Sequence, residues 1–477
     1  MDGQPKFWQV TGLCAVLKIL QTLSTAISVV PRLRLYEATI CRSYYQIHNP
    51  SVIDVGDNIP EELCKIPQIQ ASLAQLTGWN SFFFYIPTLV LAIPYSALSE
   101  RVSRRTVLLV NVLSGIVSQL YVMIICYFYN TFDIRLIWLA SLFDCVGGGR
   151  LVFNTMTQVL IAEATAPSAL STIYFRLSSI MSISRVLGVT SGSYLLGQSV
   201  WIPIWLGLAF TSFCIPVLVW LKDHRDALVQ KNSSDQGDHL LQAACQKGEE
   251  SDESRDIPPA KTNQFFGQPM SLLRSFSTYA LFMFSHSHIL AIFLIHESGM
   301  GVRNITEQWM SQRYAWPLGI TGYILASETF VASIFLAVLP AISRYLPRGS
   351  NAQRPSEQQQ IHIIRGSLFA AASGVAIMAA SGSSRVAFLV ALGIFALGVG
   401  FHDALKSYVT GLVDVSSITR LYMCISIVET CANIINGPTW AWIYTIGISY
   451  GVRGMPLPFL LCSLLFLGAL GLVTRLA

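Results

Sequence analysis

Ionisable side chains stand in stretches of this sequence that are otherwise almost wholly apolar, and they are where its chemistry has to be sought. Lys18, Asp144, Arg150 and Arg185 fall in the first half, and His286, His288, Glu328, His402, Asp403, Lys406 and Glu429 in the second. A charge at the centre of a lipid-embedded helix costs roughly 2.5–3.5 kcal/mol on the insertion scale, so each needs a partner or a hydrated cavity. Asp403 and Lys406, three residues apart, share a helix face and are placed to pair with each other. Glu328 and Glu429 have no like-spaced cation on their own stretches. Each is therefore paired across a bundle or held protonated, because burial disfavours the charged form. A carboxyl that takes up and releases protons is what proton coupling requires, and Glu328, Glu429 and Asp403 are the candidates. Arg150 and Arg185 stay charged at any relevant pH and favour an anionic or carboxylate-bearing ligand if they face a cavity; pairing with Asp144 or Glu163 is the alternative. Asp144 and Arg150, six apart, fall on different helix faces, which weakens a pair between them. His286 and His288 also point to different faces, so at most one of them lines a given wall. Arg150, Arg185, His286, Glu328 and Glu429 form the candidate binding set.

Other chemistry is not provided for. No nucleophile sits with a base, no phosphate loop is present, and no CxxC pair or His/Cys cluster has metal-ligand spacing, so neither an enzyme nor a metal or other cofactor is expected. The net charge of +5 is scattered, without a basic stripe carrying interleaved aromatics, which argues against nucleic acid as a partner.

The elements that must position these side chains follow from composition. Of the 477 residues, 53% are hydrophobic and 12% charged, against about a quarter charged in soluble domains. At roughly 20 residues per crossing, the length accommodates about twelve spans and one polar insert. A span-length window predicts helices near 11–31, 77–97, 106–129, 135–161, 171–197 and 201–221, then 272–297, 315–343, 362–382, 386–411, 419–446 and 452–474. The expected fold is an all-α membrane protein of twelve transmembrane helices in two six-helix lobes, residues 1–221 and 271–477, joined by a polar linker at 222–270. The linker's composition cannot bury a core and predicts disorder. The first apolar run lacks a cleavage site and reads as the first span.

Cytoplasmic loops collect Lys and Arg, and the Arg101, Arg104, Arg105 cluster in a short loop after the second span places both termini and the linker in the cytoplasm, with the plasma membrane as the expected location. The first outer loop, 32–76, holds Cys41 and Cys64, which form a disulfide in an oxidising compartment or remain free thiols. Asn304 opens a glycosylation sequon in the outer loop before the eighth span, whereas the Asn232 sequon lies in the inner linker.

Residues 96–106 read SALSERVSRRT, which resembles the major facilitator loop motif GxLADRxGRR. Leu98, Arg101, Arg104 and Arg105 match, Glu100 replaces Asp, and Ser96 and Ser103 replace the glycines. The resemblance implies a conformational gate built from Glu100, Arg101, Arg104 and Arg105, with Arg101 meeting Glu163 at the inner end of the fourth span. A looser echo lies at 340–348, as two related lobes around a central site would produce. The run from Gly147 to Arg150, the stretch 161–167 leading into Tyr174 and Phe175, the Tyr36, Glu37 and Cys41 pattern, and Tyr314 with Trp316 and Pro317 resemble a filamentous-fungal group of major facilitator transporters, distantly similar to proton-coupled folate carriers. That likeness implies a monomeric secondary carrier in the bilayer that moves a small organic molecule by alternating access, coupled to protons, with efflux of a secondary metabolite as the leading expectation. The sugar-porter element after the sixth span and the Gly-Pro pair of drug/proton antiporters in the fifth are missing, so the latter motif lends efflux no support. Proton-coupled uptake of a nutrient or organic anion, or a non-transporting sensor or scaffold on the same fold, are the alternatives.

Overall fold

The structure, a computed structural model, describes residues 4–52, 59–164, 167–221, 287–343, 357–412 and 418–475. Among them every regular element is helical: α1 (Gln4–His48), α2 (Pro67–Arg101), α3 (Arg104–Tyr127), α4 (Ser141–Gly147), α5 (Gly149–Ala164), α6 (Pro167–Leu196), α7 (Trp201–Trp220), α8 (Ser287–Met300), α9 (Arg303–Tyr314), α10 (Leu318–Ser343), α11 (Glu357–Ala380), α12 (Arg385–Ala396), α13 (Gly400–Leu412), α14 (Ile418–Ser449) and α15 (Leu457–Thr474). Lipid offers no partner for backbone polar groups, so apolar sequence of this length must satisfy them within each helix. Eight stretches among the described residues are long and apolar enough to cross a membrane. Helices α2, α6 and α14 and the α8–α9 pair lie between these spans in the chain, an order consistent with the expected twelve passes in two lobes. The predicted linker and the 340–348 echo fall outside the described residues or their side chains.

Three passes are broken part-way along. In the fourth, α4 ends at Gly148 (φ 74°), and Gly149 also has positive φ (65°), a backbone conformation glycine adopts without strain. The Asn111 side-chain amide donates to the carbonyls of Gly147 (2.6 Å) and Gly149 (2.8 Å), so the break leaves these buried acceptors satisfied. The seventh pass breaks between Met300 and Arg303, and the tenth contains a 3₁₀ turn at Leu397–Val399.

Two expected boundaries are corrected. The first helix does not stop near residue 31 but runs to His48, because Leu35 and Tyr36 are buried and Arg34 pairs with Glu37 one turn on (2.7 Å). The seventh pass does not stop at 297 but reaches Tyr314, held by the helical repeat of buried Ile305, Trp309 and Met310 and by the Trp309 indole donating to the Met455 carbonyl (2.8 Å). Its connection to α10 is only residues 315–317.

Apolar cores lie within each lobe, and the lobes meet along α2 against α14 and α6 against α10. At Gly78 a Cβ would stand 2.6 Å from both Ala441 Cβ and the Gly437 carbonyl oxygen, so only glycine permits this approach. These contacts lie in the half of the bundle where α1 ends, opposite the face that carries both ends of the described chain. On that half Cys41 and Cys64 are disulfide-bonded. The bond ties the 3₁₀ turn Glu61–Lys65 to α1, where Lys65 Nζ reaches Glu37 (2.7 Å) and Glu61 (2.8 Å) and Arg34 reaches Glu61 (3.5 Å). Glu61 then crosses to the second lobe, its Oε1 accepting from the N–H of Leu318 (2.8 Å) at the start of α10. Burial pushes the Glu61 carboxyl up, but Lys65, Arg34 and the Leu318 N–H more than offset this and hold it below the ordinary 4.5. Gln308 donating to the Gln70 carbonyl (2.5 Å) and Gln75 to Thr445 (3.3 Å) complete the closed seam.

Candidate functional site

Between the lobes lies a cavity of about 610 Å³, walled by α1, α2, α5 and α6 on one side and α9, α10 and α14 on the other. Its charged lining is Lys18, Arg32, Arg150, Arg185 and Arg303 against Glu307 and Glu328. Arg150, Arg185, Arg303 and Glu328 sit near the middles of their passes, so the charge is concentrated near the midplane, where an uncompensated ion costs most. Arg303 forms an ion pair with Glu328, whose side chain is only 2% exposed. Arg185 lies within electrostatic reach of Arg303, Arg150, Glu328 and Glu307, and the Arg150 guanidinium stands 5.9 Å from the centre of the Phe84 ring. Among the described residues, five cations face two carboxylates, with Thr, Ser and Asn side chains between them.

A second polar cluster sits inside the second lobe and is absent from the cavity lining. His402 Nε2 lies 2.7 Å from Glu429, Lys406 Nζ 3.1 Å from the same carboxylate, and side-chain oxygen or nitrogen atoms of Glu297, His402 and Glu429 lie within 4.8 Å of one another. Asp403 approaches His402 Nδ1 only to 3.8 Å and is 74% exposed.

Of the expected site residues, Arg150, Arg185 and Glu328 come together in the cavity wall with Lys18. Glu429 belongs to the second cluster, and His286 lies outside the described residues, while His288 is exposed at the start of α8. Lys406 does not pair with Asp403 as the three-residue spacing suggests; Glu429 of α14 supplies a closer carboxylate. Asp144 does lie within electrostatic reach of Arg150 and Arg32, because the break at Gly148 cancels the helical phase that set Asp144 and Arg150 apart. The side chains of Glu100, Arg101 and Glu163 fall outside the described residues; Arg104 and Arg105 are half-buried at the start of α3. The Asn304 sequon expectation is corrected: Asn304 is in α9 and lines the cavity, with Thr306 buried, so it is a wall residue rather than a loop acceptor. The convergence of Glu297, His402 and Glu429 was invisible to spacing because three helices contribute one residue each. Arg303 and Glu307 were missed because the window ended the seventh pass early; the repeat of Ile305, Trp309 and Met310 is the signal that extends it.

Residues 66–428 match the Major Facilitator Superfamily. The chain belongs to that family. Relatives within it include the MFS efflux pump atnC of Emericella nidulans, 28% identical over 469 residues that cover 98% of this chain and 87% of the relative. The efflux pump ustT of Aspergillus flavus is 24% identical over 465 residues, covering 96% and 86%. Among solved structures, the nucleoside transporter NupG superposes with a TM-score of 0.60 at 13% identity, covering 97% of this chain and 98% of that one. A bacterial homolog of the human lysosomal transporter Spinster superposes at 0.59 and 12% identity, covering 99% and 97%. Such identities establish the shared fold. This family member is thus a multi-pass membrane transporter, as the spans and two-lobed cavity already indicated.

Proposed function

We propose that this transporter exports a small organic anion, by alternating access coupled to protons, working as a monomer in the plasma membrane with its termini in the cytoplasm. The carrying observation is the cavity's charge: Lys18, Arg32, Arg150, Arg185 and Arg303 face two carboxylates, one of them already neutralised by Arg303. A lining of that sign, kept at a depth where each charge is costly, is suited to a ligand that brings negative charge with it. Closure on the disulfide half together with a midplane cavity supports a cycle in which the lobes rock about the site. The efflux direction is supported by two fungal relatives, atnC and ustT, which are named efflux pumps.

The test is a comparison of anionic metabolites inside and outside cells with and without this gene, repeated with the pH gradient collapsed. The expected result is an anion retained inside when the gene is absent, and retained equally when the gradient is abolished. Retention of only neutral or cationic compounds, or no difference between the cells, would overturn the reading.

A further inference from the structure

We propose that Glu297, His402 and Glu429 form a proton-binding site of their own, apart from the substrate cavity, which takes up one proton beyond what Lys406 already balances. It deepens the proton coupling proposed above by giving the proton a place.

Charge counting carries the proposal. Glu297 and Glu429 bring two negative charges to within 4.8 Å of one imidazole, and Lys406 at 3.1 Å from Glu429 supplies a single fixed positive charge. With His402 neutral the cluster holds one unmatched carboxylate, and one proton shared through the imidazole makes it neutral. In a low-dielectric bundle the neutral state is the favoured one, because an uncompensated charge on these half-buried groups is costly. Among the described residues, the surroundings supply no other strong counter-charge. From α8, His296 Nδ1 stands 3.8 Å from Glu297 Oε1, with its ring stacked on Phe401 at 4.2 Å. From α13, besides Lys406, there is only Asp403, itself an acid. From α14, the Asn433 and Asn436 amides are committed to the backbone carbonyls of Glu429 and Glu297. From α15, Phe466 is apolar, 5.8 Å from the His296 ring. A metal ion fits less well than a proton, because the Lys406 ammonium already lies against the carboxylate that would have to bind it.

The same helices connect this cluster to the parts that move. Six residues beyond Glu297, across the break in the seventh pass, is Arg303, the partner of Glu328. Beyond Glu429, α14 carries Gly437 and Ala441 into the inter-lobe seam. The Trp440 indole donates to the Ser298 carbonyl (2.8 Å) and fixes the two helices to each other, so a change in charge between them bears on both cavity wall and seam.

The test counts protons, with no substrate present. Purified full-length protein in weakly buffered detergent is stepped from alkaline to mildly acidic solution, and uptake is read with a pH-sensitive dye. Glu297→Gln and Glu429→Gln should each take up about one proton fewer per chain than wild type, Glu297→Asp should match wild type, and Lys406→Gln should take up about one more. Glu328→Gln should leave this uptake intact, since its partner Arg303 belongs to the cavity. Equal uptake by wild type, Glu297→Gln and Lys406→Gln, or a loss seen in Glu328→Gln instead, would overturn the site. Should either glutamine variant fail to fold, the opposite-signed Lys406→Gln result and the Glu297→Asp match decide. Because uptake is read without flux, normal uptake combined with gradient-independent transport would defeat the coupling reading while leaving this site standing.

Discussion

A methyl group added at Gly78 should tip the balance between the two conformations without unfolding either lobe. The new Cβ would stand 2.6 Å from Ala441 Cβ and 2.6 Å from the Gly437 carbonyl oxygen, both on α14 of the other lobe. A closely packed seam cannot absorb that without parting, and overpacking of this kind costs about 1–3 kcal/mol. Parting the lobes on the disulfide half relieves the clash completely, so the penalty falls on one conformation only. At about 1.4 kcal/mol per tenfold, the ratio of closed to open on that half should fall by about 5- to 140-fold. Spin labels at Ile47→Cys and Val452→Cys, exposed by 81% and 64% on that half in opposite lobes, report the separation by double electron–electron resonance. Gly115→Ala, where an added Cβ meets nothing within 4 Å, is the control. Longer label distances in Gly78→Ala than in wild type or Gly115→Ala are expected. Superimposable distributions for all three would refute the reasoning.

The Arg303 and Glu328 pair should respond asymmetrically: Arg303→Gln strands a nearly fully buried carboxylate and should destabilise by about 3–5 kcal/mol, whereas Glu328→Gln leaves an arginine 36% exposed and able to hydrate, so its unfolding midpoint should fall less. For Glu61, the folded carboxyl is held below its ordinary 4.5, so its contribution is fully present above that value and is lost as pH falls through the lower folded one. Acidifying the disulfide face within the range above 4.5 should therefore leave the label separation unchanged, opening should begin only below it, and Glu61→Gln should abolish that pH dependence.

Membrane class, two lobes and the cavity residues Arg150, Arg185 and Glu328 were legible in the sequence, because an apolar run of span length and an ionisable residue inside it are both local signals. What escaped was pairing between passes. Glu328 finds Arg303 on the preceding pass, and Lys406 chooses Glu429 over Asp403 because a carboxylate from another helix lies closer than one on its own. Glu297 was overlooked because it sat at the expected end of a span rather than in its interior. Polar stretches such as 303–314 read as loop by hydropathy, yet they are helical where one face is buried against protein instead of lipid.

Both halves of the Cys41–Cys64 bond belong to the same lobe, so the turn that carries Glu61 rides with α1 as a fixed lip. When the lobes separate there, the lip keeps its own ion pairs and surrenders only what crosses to the other side, such as the Leu318 N–H, the Gln308 amide and the Thr445 hydroxyl. Each of those is a polar bond with a net worth of about 0.5–1.5 kcal/mol, and incoming water can replace it. In the rocking cycle proposed above, a clasp of that strength would shut the passage and still be undone on every turnover.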